Sequence, residues 1–470
     1  MTDLLLTNGR VLTQNADREI YNPGAVAIRD DCISRVGPAA TLAAEMDPDR
    51  VIDADGGVVI PGLINTHSHV SDILLRGAST NDRGLYDWLL NVKKPGTLLM
   101  TPEEYALAAT LYSVEAIQSG TTTFVDNDNT IRWYNLENTW AKLDVYDRLG
   151  VRTIYAAGIW DKQTDTDFWS LYRDTVSRNP TVAHPEPDEF RVDTEDAIAG
   201  IERLMETAHD PPARQSIWPA PVVPEGTTRH GLQAAARIAE EYNVVTTTHV
   251  AEVPIQERGP ISSVEYLHNI DYLGNRTLLI NCGQLSKSDV RLLKKTGTSV
   301  AHTLVENMRL GNDLAPVVSM VENGVTVGIG TDNVMKNDTV NPLSDARAVS
   351  NTHKTLHADP KVLPSQTAFD MVTRDAAAAI GRSADLGSIE AGKQADIAII
   401  DFAHPHLTPS PDPVHALVHN VQGFEIQTVL CAGDVVLKDR ELQTLDRSLA
   451  DLLTTVEETA ASVVDRAGIE

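Results

Sequence analysis

Cysteine is scarce in this sequence: Cys32, Cys282 and Cys431 are the only three in 470 residues. They are too few and too scattered for a disulfide framework. Long apolar runs are missing as well. None approaches the roughly 20 residues that span a bilayer, so no membrane partner is expected. The start, Met1-Thr2-Asp3-Leu4-Leu5-Leu6, lacks the basic segment and cleavage site of a signal peptide, and a cytoplasmic location is expected. Basic residues are outnumbered 39 to 66, leaving a net charge of -27. Such a surface repels nucleic acid and anionic membranes, and reads as a solvated acidic shell. Also absent is the Pro-Cys-x-x-Cys element of the zinc enzymes that act on bases within polynucleotides.

What is present is a substantial core: 42% of the residues are hydrophobic, and the length suits one large domain with an accessory domain. The chain is organised around Val58-Val59-Ile60-Pro61-Gly62-Leu63-Ile64-Asn65-Thr66-His67-Ser68-His69. Its apolar, β-branched run predicts a buried strand. Side chains at i and i+2 of a strand share a face, so His67 and His69 can aim two imidazoles at one point. Elsewhere, a bare His-x-His is more often one packed and one solvated ring.

Residues 59–385 alternate apolar strands with helical patterns. The predicted strands after the first are Thr122–Asp126, Val151–Ala157, Ser216–Pro219, Val244–His249, Thr277–Asn281, Ser299–His302 and Val325–Asp332. Helical stretches include Pro102–Gln118 and Gly231–Glu241. Eight such units predict an α/β fold, a (β/α)8 TIM barrel, with its chemistry at the strand C-terminal ends. His67, His69, His249, His302 and Asp332 all stand there. Residues 1–58 read as short strands: a strand–turn–strand around Asn8-Gly9, a hairpin around Asp30-Asp31, and Val51–Ala54. Residues 386–442 carry further strands, including a hairpin over Ile426–Leu437. Neither end is complete alone, so one small β-sandwich built from both chain ends is expected. Residues 443–470 are expected to carry a terminal helix, with periodicity over 443–465.

Pro61-Gly62-Leu63-Ile64-Asn65-Thr66-His67-Ser68-His69 resembles the first-strand signature of the amidohydrolase superfamily. The flanking sequence is similar to its cytosine deaminase-like branch, which includes triazine hydrolases, guanine deaminases and adenosine-type deaminases. Gly387–Asp401 also resembles the pattern in which both chain ends build the sandwich. The resemblance spans nearly the whole chain. It implies that His67, His69, His249 and Asp332 hold one divalent metal, zinc first, with iron or manganese as alternatives. Three imidazoles and a carboxylate suit such an ion, which lowers the pKa of water to roughly 7. Singly, His249 reads as a core histidine and Asp332 as a helix cap; their joint placement at strand ends argues otherwise. Some relatives bridge two metals through a fourth-strand lysine. Here that strand reads Ile217-Trp218-Pro219-Ala220-Pro221, without lysine, which favours one metal.

The resemblance makes Glu252 the proton shuttle; a solvated loop charge is the plainer reading. It also places a histidine after the sixth strand, where this chain has Asn281. Asparagine does not titrate usefully but can hydrogen-bond; Cys282 or His302 are the neighbours that could substitute. His302 fits the seventh-strand motif, either as a catalytic residue or as a partner behind Asp332. Pro219 replaces a histidine common in nucleoside-type deaminases, which weakens an adenosine-like assignment. Arg76 and Trp88 follow the first strand. Trp88 could stack on a flat ring or pack as an ordinary core residue. Glu306, beside Asn307, adds a substrate-binding carboxylate or a surface charge.

The resulting expectation is a metal-dependent hydrolase that deaminates a small N-heterocycle such as a purine, pyrimidine or triazine. Glu252, Asp332, His302 and Asn281 are its catalytic candidates, and Trp88, Asn281 and Glu306 its substrate-binding candidates. Cleavage of a carbon–halogen bond or ring amide on a similar ring is the first alternative. A catalytically silent scaffold is the second. A homo-oligomer, dimer or tetramer, is expected.

Overall fold

The structure is a computed structural model that describes residues 3–78, 83–129, 131, 136–162, 166–186, 191–211, 214–257 and 259–469. Side chains of 166–169 are outside that description. The N-terminal strands are β1 (Asp3–Leu12), β2 (Ile20–Arg29), β3 (Cys32–Pro38), β4 (Arg50–Asp53) and β5 (Val58–Pro61). Eight parallel strands follow: β6 (Leu63–Ser68), β7 (Thr121–Asp128), β8 (Arg152–Ile159), β9 (Gln215–Pro221), β10 (Thr246–Val250), β11 (Thr277–Asn281), β12 (Ser299–His302) and β13 (Val327–Ile329). The C-terminal strands are β14 (Ile397–Ile400), β15 (Ile426–Cys431), β16 (Asp434–Lys438) and β17 (Glu441–Leu442).

Strands β6 to β9 and β10 to β13 each form a four-stranded parallel run. Together they make the expected barrel, with helices such as Pro102–Gln118 and Arg229–Glu241 between strands. Both chain ends join one nine-stranded mixed sheet, in the order β17-β16-β15-β14-β5-β1-β2-β3 with β4 beside β1. Its own core takes Leu4, Val26, Ile28 and Val59 from one end and Ile389, Ile397 and Leu430 from the other. The N-terminal strands therefore bury their apolar faces only when the C-terminal ones arrive.

Two local expectations change. The opening apolar run is not one strand. Val58–Val59 pair with Arg10–Val11, and Val58–Pro61 pair with β14, so this half belongs to the mixed sheet. At Gly62 the chain passes into the barrel, because a Cβ there would stand 2.3 Å from the Thr122 hydroxyl. Leu63–Ser68 alone is the first barrel strand. Second, Asn8-Gly9 is not a hairpin turn. β1 runs on through it with register shifts on either side of Gly9. Asn8 takes a left-handed φ of 60°, which makes a bulge that bends the strand. Both halves of β1 are already paired, with β4 and with β5, so the chain is held from reversing. The terminal helix is Leu449–Ala467; Ser448 caps it by accepting from Asp451 N. No helix of the described residues is long and apolar enough to cross a membrane.

Candidate metal centre

Three imidazoles meet at the barrel mouth. The ring centroids of His67 and His69 are 4.8 Å apart, and those of His67 and His249 are 4.9 Å apart. One potential ligand atom from each lies within 4.8 Å of the others. His69 Nδ1 lies 2.6 Å from Asn127 O, and His249 Nδ1 lies 2.8 Å from Val222 O. A carbonyl can only accept, so both Nδ1 atoms carry the proton and both Nε2 lone pairs are free to ligate. Asp332 Oδ1 lies 3.1 Å from His67 Nε2 and 3.4 Å from His69 Nε2. Burial, then the charge of Lys93, holds His69 well below its ordinary value. Burial is also the main cause that brings His249 down to about 3. Burial pushes the Asp332 carboxyl up, but the adjacent His67 ring and a hydrogen bond from Glu306 outweigh it and keep it ionised. Two neutral imidazoles with free lone pairs, a third ring and one carboxylate fit a divalent metal.

Barrel closure sets this geometry. At the β9–β10 seam, His249 N donates to Val222 O at 3.1 Å. At the β13–β6 seam, Ser68 bridges to Asp332, and Asp332 N donates to His67 O at 3.0 Å. The close approach at that second seam needs Gly330, where a Cβ would stand 2.7 Å from His67 Cβ. Asp332 itself sits at φ 58°, a conformation Asp tolerates better than most residues.

Glu252 follows β10 and stands at the end of a chain of hydrogen bonds. Asn312 Nδ2 donates to Glu252 Oε1 at 3.0 Å and to Asn307 Oδ1 at 3.2 Å. Asn307 Nδ2 donates to the Thr303 hydroxyl at 3.1 Å, and that hydroxyl donates to Asn281 Oδ1. The Asn281 amide also favours the ionised Glu252 carboxyl. Burial, then the charge of Asp332, raises that carboxyl to about 8, against the opposing pull of Lys93 and of these amides.

Residues 58–436 match the Amidohydrolase family. The chain belongs to that family. It is 30% identical to a 5-methylthioadenosine/S-adenosylhomocysteine deaminase of Nitratidesulfovibrio vulgaris, over 99% of both chains. It is 29% identical to an S-triazine hydrolase of Gordonia rubripertincta, over 100% of this chain and 98% of the other. In fold it is similar to a zinc-bound adenosine deaminase of Xanthomonas campestris, with a TM-score of 0.86, 23% identity and 98% of each chain covered.

In this amidohydrolase a cavity partly open to solvent reaches the cluster of imidazoles. Trp88, Glu252, Asn281, Glu306, His69, His249 and Asp332 all line it. Burial and the charge of Asp332 push the Glu306 carboxyl well above its ordinary value, so it holds a proton against Asp332. Other singled-out residues lie elsewhere. His302 does not line the cavity; its Nε2 lies 3.4 Å from His353 Nε2 within the core. Cys282 is buried with its sulfur toward Ile280 O, and burial pushes its thiol up. Arg76 pairs with Glu115 at 2.5 Å.

Asn312 and Thr303, and with them the hydrogen-bond chain to Glu252, have no local signal in the sequence. Lys93 and Lys94 also line the cavity. A Lys-Lys pair inside the apolar stretch Trp88–Met100 was the available signal.

Proposed function

We propose that this amidohydrolase is a zinc-dependent enzyme that hydrolytically deaminates a small, flat N-heterocycle. The observation that carries the reading is one cavity lined both by Glu252 and by His69, His249 and Asp332 of the proposed ligand set. His67, His69, His249 and Asp332 would hold the ion, which when bound makes water a stronger acid near neutral pH. Zinc is the choice because of the imidazole-rich donors and the zinc-bound structure similar in fold.

Glu252 takes a proton from water and returns it to the leaving nitrogen. Its burial beside the proposed ligands, with Asn312 donating to it, positions the carboxyl for that transfer. Asn281 and Asn312 fix the carboxylate by donating to it and do not titrate. Trp88 offers its ring face to a flat substrate. Glu306, holding a proton, can donate to or accept from a ring nitrogen or amino group. The new C–O bond forms at the ring carbon, its C–N bond breaks, and ammonia leaves. Relatives named for purine nucleoside and triazine substrates support the substrate class.

A second reading, loss of another leaving group from a similar ring, is favoured by Asn281 at the expected histidine position. The test is a panel of purines, pyrimidines and triazines carrying an amino, an alkylamino or a halogen substituent, assayed with zinc-loaded protein. Ammonia release supports deamination. Halide or alkylamine release without ammonia selects the second reading.

A further inference from the structure

Strand β7 ends in two carboxylates that share one buried ammonium. Asp126 and Asp128 are two residues apart in the strand, so their side chains lie on one face. Lys142, on the following helix Glu137–Leu149, reaches both: its Nζ is 2.7 Å from Asp126 Oδ2 and 3.0 Å from Asp128 Oδ2. Its side chain is fully buried. Tyr146 donates its hydroxyl to Asp126, and Tyr155 donates to Asp128, each at 2.7 Å. None of the three charged residues lines the cavity. Apolar residues of similar volume often serve stability as well as a buried ion cluster does, so packing alone does not account for this one.

The other contacts of the cluster converge on His69. Among the three clustered histidines, His67 lies inside β6 and His249 inside β10, where strand pairing fixes the backbone. His69 stands one residue beyond β6, at the junction with the 3-10 turn Val70–Leu75. It needs another hold. Asn127, between the two aspartates, supplies the carbonyl 2.6 Å from His69 Nδ1. Asp126 Oδ1 accepts from Val70 N at 3.4 Å, and Lys142 Nζ donates to the Ser71 hydroxyl at 3.3 Å. The imidazole is thus gripped from behind and along the chain, by one set of charges.

We propose that Lys142, with Asp126 and Asp128, positions His69 for the metal. The cluster fixes Asn127 O and the turn after His69, so that the His69 Nε2 lone pair points at the ion. Carbonyl partners of ligating histidines set ring orientation and basicity, and here the carbonyl is itself held by a buried ion cluster. Lys142 touches neither ion nor substrate; it acts through His69. The inference rests on the metal centre of the proposed function and adds residues outside the cavity to it.

The test is zinc affinity of the full chain, by competition with a chromophoric chelator, with the visible spectrum of the cobalt(II)-loaded protein as a report on ligand geometry. Lys142→Met/Asp126→Asn removes one charge of each sign and keeps an acceptor for Val70 N. Asp128 retains the charge of Lys94 and the Tyr155 hydroxyl. Zinc should bind about 10- to 100-fold more weakly, the usual worth of a partner behind a ligating histidine, and the cobalt bands should shift. Asp126→Asn alone leaves Lys142 paired with Asp128 and should lose a smaller part of the affinity. The control is Arg152→Met/Asp396→Asn, which neutralises another buried ion pair at the start of β8, away from the strand ends that carry the ligands. Whatever it does to Tm, it should leave zinc affinity and the cobalt spectrum as in wild type, which separates lost positioning from general destabilisation. Unchanged affinity and spectrum in the double variant, or in Asp126→Asn should the double variant not fold, would overturn the inference. So would an equal loss in the Arg152 control. A wild-type chain that binds no zinc sinks the metal centre itself, whereas wild-type binding that the Lys142 and Asp126 variants share sinks only the role of Lys142.

Discussion

The Asn281 amide stands against the Glu252 carboxyl and favours its ionised form. Its amide orientation is dictated from behind, since the Thr303 hydroxyl donates to Asn281 Oδ1 and leaves the NH2 group for Glu252. The residue that departs from the expected histidine is thus a neutral clamp on the group proposed to move protons.

Asn281→His should therefore lower native turnover. The imidazole cannot both accept from Thr303 and donate to Glu252 in the same geometry, and it adds a titrating ring. Metal content should hold, because Asn281 is outside the ligand cluster. Steady-state kinetics and elemental analysis together check this. A rise in native kcat toward the roughly 10²–10⁴-fold that one general acid–base group can supply would refute the clamp.

Glu252→Gln keeps the shape of the side chain and removes its proton transfer. Turnover should drop by about 10²–10⁴-fold, with metal content unchanged. Wild-type kcat in this variant would remove Glu252 from the mechanism.

About one divalent metal per chain is expected, since the four clustered donors form a single set and β9 offers no lysine to bridge a second ion. Asp332→Ala should lose most of it. Chelation should lower Tm, because an ion that binds only the folded chain stabilises it. Two ions per chain by elemental analysis, or an unmoved Tm on chelation, would contradict this.

The His302–His353 pair predicts acid sensitivity. Burial, then the charge of His353, lowers His302 to about 3, and burial, then the charge of His357, lowers His353 to about 4, from an ordinary 6.5. Below pH 6.5 the unfolded chain binds these protons and the folded chain does not. Their stability contribution is complete above pH 6.5 and is lost as pH falls toward 4 and then 3. His353→Gln should flatten the fall of Tm between pH 6.5 and 4, removing a penalty of up to roughly 3 kcal/mol at 1.36 kcal/mol per pKa unit. A slope identical to wild type, measured on metal-free protein by thermal melts against pH, would show that His353 does not titrate there.

The barrel strands were legible because each is a local apolar run, and β11 and β12 fall at their predicted bounds. That His67, His69, His249 and Asp332 stand at strand ends was legible because each closes such a run, and Glu252 was singled out through the family resemblance. The shared sheet followed from strands at each end that lacked partners nearby. What the sequence by itself determined was thus local: the periodicity of strands and helices, and which polar residues end them. Tertiary structure alone decided that Val58–Pro61 leaves the barrel for the mixed sheet, and that His302 turns to His353 while Glu306 faces Asp332. It alone assembled the hydrogen-bond chain that reaches Glu252 and brought Lys93 and Lys94 into the cavity. Those outcomes rest on contacts between residues far apart in the chain, such as Gly62 against Thr122 and Asn312 against Glu252. Their direction is set by steric fit and hydrogen-bond pairing across barrel seams, quantities that no local pattern of apolar and polar residues encodes.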